Sequence, residues 1–99
     1  MSEFQIELTL SAESTLLKLR KNNSQKSIFK AVSKTIRLLS ENPRHPGLNT
    51  HKYSSLKGPD DEDVFEAYAQ NKTPGAYRVF WFYGPEKKMI TIIAITPHP

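Results

Sequence analysis

The 99-residue sequence contains no cysteine, so it has neither a disulfide framework nor a thiolate metal site. That usage fits a reducing compartment. No apolar run reaches the ~18 residues that a membrane-spanning helix needs. The most apolar stretch, MITIIAI at residues 89–95, has the length of a strand. The opening MSEFQIEL is acidic and alternating, unlike a secretory leader. A cytoplasmic location without membrane association is the expectation. Three histidines show no H-x-x-H or H-E-x-x-H spacing, which speaks against a metal centre. A Walker loop, G-x-G-x-x-G and G-x-S-x-G are all missing, so nothing suggests a cofactor.

What is present suffices for one hydrophobic core, and a single domain over residues 1–99 is expected. Ten aromatic residues supply bulk. The net charge of +4 is unevenly spread: residues 11–58 hold ten Lys/Arg and two acidic residues, and the remainder holds four basic and eight acidic. A basic half favours a polyanionic partner, although a lysine-rich helix face that is merely solvated gives the same pattern.

Hydrophobic spacing sets the elements. EFQIELTL at 3–10 alternates and reads as a half-exposed strand. Ser11 is the expected N-cap of a helix over 12–21, and Ser24 that of a second over 25–41. In the second helix Ile28, Val32, Ile36 and Leu39 repeat at helical spacing, and Asn42-Pro43 ends it. Residues 42–62 form a long irregular stretch, with 51–56 able to run as a strand. Strand-like segments follow at 63–70, 76–83 and 89–95, joined by NKTPG and GPEKK turns. The predicted fold is α+β: an N-terminal strand, a helical hairpin, then a three-stranded antiparallel meander, with the helices on one face of the sheet.

Two residues sit oddly in that plan. Arg78 interrupts AYRVFWFY, sharing a face with Phe80 and Phe82 rather than with Val79 and Trp81. On an open face it suits phosphate or carboxylate recognition; the alternative is an ion pair with Glu66. His98 follows the alternation Ile90, Ile92, Ala94, Thr96 and lies between Pro97 and Pro99. A terminal histidine is ordinarily loose, and the two prolines are what argues for a brace. His51, Lys52 and Lys57, with Arg44 upstream, make the 42–62 stretch basic, and His45 is read as incidental. An arginine, a histidine and loop cations are the parts that metal-free RNA cleavage needs: a base for the 2′-hydroxyl, cations for the phosphate and an acid for the 5′-oxygen.

The ordered set ENPRHPGLNTHKYSSLKG, FEAYAQNKTPGAYRVFW and ITIIAITPHP resembles the RelE/ParE superfamily of bacterial type II toxins over essentially the whole chain. The resemblance implies a ribosome-dependent mRNA endoribonuclease that uses no metal, or a ParE-like inhibitor of DNA gyrase, or an inactive relative that binds only its antitoxin. It implies a cognate antitoxin partner in each case. Arg78 matches the arginine that contacts the scissile phosphate, and His98 the C-terminal acid. Lys52 and Lys57 match the basic residues that hold RNA, with Arg44 beside them, and His51 stands where it can serve as base. The glutamate base of YoeB-like members has no equivalent, since residues 47–51 contain no carboxylate.

Overall fold

Two helices lie on one face of a five-stranded sheet in the computed structural model, which describes residues 3–71 and 73–98. Lys72, in the NKTPG turn, and Pro99, the second proline of the expected brace, lie outside the described residues. Strand β1 (Gln5–Leu8) alternates exposed and half-buried residues, and it feeds helix α1 (Leu10–Lys21) directly. The N-cap is Thr9 rather than the expected Ser11: its Oγ1 accepts from the Ala12 N–H at 3.2 Å. Thr9 is still extended, and its own N–H donates to Ile92 O, so strand and helix meet without a linker.

A short 3₁₀ turn, Asn23–Gln25, separates α1 from helix α2 (Lys26–Glu41). Asn22, not Ser24, supplies the capping oxygen here, and it accepts from Ser24 N–H. Helix α2 buries Val32, Thr35 and Leu39. Asn42 leaves the helix in an extended conformation, as the following proline requires.

The irregular stretch resolves into a 3₁₀ turn, Pro46–Leu48, and strand β2 (His51–Lys57). Strands β3 (Asp63–Tyr68), β4 (Tyr77–Tyr83) and β5 (Met89–Pro97) follow. The order across the sheet is β1-β5-β4-β3-β2. The expected three-stranded meander is there, extended to four antiparallel strands by β2, while β1 pairs parallel to β5.

The helix-side core joins Ala12, Leu19, Val32 and Leu39 to Ala67, Val79, Trp81, Ile90, Ile92 and Ile95. The opposite face is not bare. It carries a second apolar cluster of Val64, Phe80 and Phe82, with Tyr53, Ile93 and Ala94 packed against it.

One irregularity decides what faces what. Phe80 pairs with Ala94, yet Trp81 pairs with Ile92, so Ile93 is an extra residue on β5. Such a bulge breaks the alternation of its strand. Ile90 and Ile92 therefore lie on the helix side, whereas Ala94 and Thr96 lie opposite, beside Phe80 and Arg78. The unbroken parity read along β5 from sequence is corrected here.

Candidate functional site

The face away from the helices holds a row of polar and aromatic residues, one strand to the next. His51 on β2 is the register partner of Glu66 on β3. Tyr68, two residues along β3, is the register partner of Arg78 on β4, and Arg78 is that of Thr96 on β5. The His51 ring meets the Tyr68 ring edge-on at 5.6 Å. The Arg78 guanidinium lies over the Tyr68 ring, 3.8 Å from its centroid.

Arg78 is far from an open position. Its residue is 8% exposed. Nη1 donates to Gln70 O at 3.0 Å and to Ala76 O at 3.2 Å. Nε lies 3.6 Å from Glu66 Oε2, close enough for a charge pair but too long for a hydrogen bond. Arg78 thus lies on the expected face and makes the ion pair with Glu66 that was the alternative reading, and the open position expected for it is corrected to a buried one.

The chain end is tied to this arginine. His98 N–H donates to Ala76 O at 2.8 Å, the same carbonyl that receives Arg78 Nη1. Pro97 is the register partner of Tyr77, so the ladder runs to the last strand residue. His98 itself is exposed.

The two lysines stand apart from that row. Lys52 pairs in register with Phe65, whose side chain packs with the helix-side core. Lys57 Nζ lies 2.8 Å from Asp63 Oδ1, and Lys52 Nζ lies 3.4 Å from Oδ2. The hydrogen bond from Lys57, and then that from Lys52, hold the Asp63 carboxyl below its ordinary 3.8. The same bond to Asp63 raises Lys57 above 10.5.

A third region was not recognised in the sequence. A cavity of about 580 Å³ opens between the loop after α2 and strands β3 and β4. Phe65, Trp81 and Tyr83 line one side, and Arg44, His45 and Thr50 the other, with His51 also on its wall. Phe65 and Trp81 stack at 5.0 Å, and Tyr83 meets Trp81 edge-on at 4.9 Å. His45 is held in place, because its Nδ1 accepts the Gly47 N–H at 2.9 Å. A Cβ at Gly47 would come to 3.0 Å from that ring, so a side chain there would press on the imidazole. Lone His45 gave no signal in sequence, since the aromatic floor comes from strands 20 and more positions away.

No protein-family model matches the sequence, and no curated protein matches it. Solved structures do. The YoeB/ParE toxin from Agrobacterium tumefaciens superposes with a TM-score of 0.71 at 14% identity, covering 97% of this chain and 100% of its own. A chain of the archaeal RelE–RelB complex from Pyrococcus horikoshii OT3 gives 0.66 at 19% identity, over 96% of this chain and 94% of its own. The YoeB dimer from Staphylococcus aureus gives 0.65 at 14% identity, over 99% and 100%. The architecture, with one strand, two helices and four further strands, is therefore the fold that these YoeB/ParE and RelE–RelB structures display.

Proposed function

We propose that the chain is the toxin of a type II toxin–antitoxin pair and cleaves mRNA on the ribosome without a metal ion. The carrying observation is the shared carbonyl of Ala76, which joins the backbone of His98 to the side chain of Arg78. In this reading His51 takes the proton from the 2′-hydroxyl, and the 2′-oxygen attacks the phosphorus. Arg78 offsets the charge on the phosphate, while Lys52, Lys57 and Arg44, which stand off that row, are left to flanking parts of the RNA. His98 gives a proton to the departing 5′-oxygen. The products are a 2′,3′-cyclic phosphate and a free 5′-hydroxyl. An acidic antitoxin segment is the expected partner, as the pairing of RelE with RelB in the Pyrococcus complex suggests.

His98→Ala tests the reading. The side chain is exposed, so the fold should survive the change. Induced without antitoxin, the wild type should generate new mRNA 5′ ends. The variant should generate about 100-fold fewer, the loss typical of a missing general acid, at an unchanged melting temperature. Wild-type cleavage that persists in His98→Ala removes the histidine from the mechanism.

One observation favours a second reading. Arg78 is buried and ion-paired, as a structural arginine would be. A toxin that binds DNA gyrase, or a relative that only binds its antitoxin, needs no accessible arginine. Induction would then give gyrase-linked DNA breaks, or no damage, and no mRNA cleavage.

A further inference from the structure

We propose that the cavity between the α2–β2 loop and strands β3 and β4 binds one unpaired nucleotide, with its base inward and its phosphate against Arg44. The proposal rests on the RNA-cleaving reading only for which molecule supplies that nucleotide.

Three observations carry it. First, the cavity, at about 580 Å³, is of ligand size. Its aromatic side offers ring faces and edges to a flat heterocycle, and Tyr83 is 41% exposed there. Second, two of its lining residues hold buried polar atoms with no hydrogen-bond partner: Trp81 Nε1 and Thr50 Oγ1. Trp81 is only 1% exposed, and an indole N–H can only donate. Buried donors are ordinarily satisfied. A base provides acceptors for the indole and either partner for the hydroxyl, whereas an aliphatic side chain provides neither.

Third, the charge is right. No Asp or Glu lines the cavity. Of the four cations singled out in sequence, Lys52 and Lys57 are held by Asp63, and Arg78 by Glu66. Arg44 has no carboxylate partner among the described residues, and it lines the cavity. His45, with Nδ1 engaged by Gly47, keeps Nε2 as a donor when neutral. His51 also lines the cavity, while its ring meets Tyr68 on the other face of the sheet, so β2 separates this cavity from the row.

Trp81 is the only tryptophan in the chain, so its fluorescence and its single indole N–H resonance report on this cavity alone. The probes are the four nucleoside 3′-monophosphates, with ribose 5-phosphate, inorganic phosphate and free indole as controls. At least one nucleotide should shift both signals saturably, and Arg44→Ala should weaken it about tenfold, the effect of losing one hydrogen bond to a charged group. Thr50→Val should weaken it without abolishing it. The inference fails if no nucleotide saturates, if ribose 5-phosphate or inorganic phosphate acts equally, or if Arg44→Ala changes nothing. It fails too if only indole binds, which would mark a socket for an apolar side chain of a protein partner. Binding without mRNA cleavage by the wild type would sink the nuclease and leave the nucleotide site standing. Cleavage without binding would do the reverse.

Discussion

Arg78 shows how far one side chain can be committed before any substrate arrives. Its guanidinium has two carbonyls, a carboxylate and an aromatic face around it. Glu66 is nearly as buried, with its side chain 14% exposed. Removing one member of such a pair strands the other charge in a poorly solvated place. Arg78→Ala should therefore cost about 3 kcal/mol or more in urea denaturation. Adding Glu66→Gln should recover a large part of that loss, because no lone charge remains. If the double variant is as unstable as Arg78→Ala, the pair is not what holds the arginine. Loss of cleavage in Arg78→Ala alone would thus mix folding with chemistry, which is why His98 is the cleaner test of mechanism.

Strand β5 carries the main geometric decision among the elements. Ile93 adds one residue opposite the Phe80–Trp81 step. Ahead of it Ile90 and Ile92 enter the core, and beyond it Ile95 does, while Thr96 reaches the side of Arg78. Deleting Ile93 would leave Ile92 opposite Trp81 and Ala94 opposite Phe80 in a regular ladder, with Ile95 still in the core and Thr96 still beside Arg78. The variant should therefore stay folded, losing only the packing of Ile93 against the Phe80 cluster, within the ordinary range of about 0.5–3 kcal/mol. Chemical denaturation measures it. A loss well above about 4 kcal/mol would mean that the facing beyond the bulge is not kept. The facing along β1 and β4 was readable in sequence, β1 from its polar–apolar alternation and β4 from the parity of a regular strand. The bulge was not, since a single isoleucine among isoleucines has no local mark.

For the molecule as a whole, the basic half is less free than its sequence suggests. Asp63 anchors both β2 lysines. Its folded pKa lies below 3.8, so its stabilising contribution is complete above 3.8 and is lost as pH falls through the depressed value. The folded pKa of Lys57 lies above 10.5, so its contribution is complete below 10.5 and is lost as pH rises through the raised value. Between about pH 5 and 9 the cluster keeps its charges, and salt rather than pH weakens it. Asp63→Asn should then tighten binding of a single-stranded RNA oligonucleotide. The dependence of log affinity on log salt should steepen by about 0.7 for each lysine freed. An unchanged slope would place the lysines outside the RNA path.

The sequence by itself determined the order of elements, the face that Arg78 shares with Phe80, and the strand that delivers His98. These follow from local periodicity, which needs no knowledge of neighbours. Thr9 replaced Ser11 as the cap because tertiary pairing to Ile92 carried the strand up to that point. Only the tertiary structure decided that Glu66 faces Arg78, that Asp63 holds Lys52 and Lys57, and that Ala76 O joins Arg78 to His98. It also brought His45 and Arg44 against Trp81. Each of these contacts joins separate strands or loops, and their closeness comes from sheet register and loop path, which no single segment encodes.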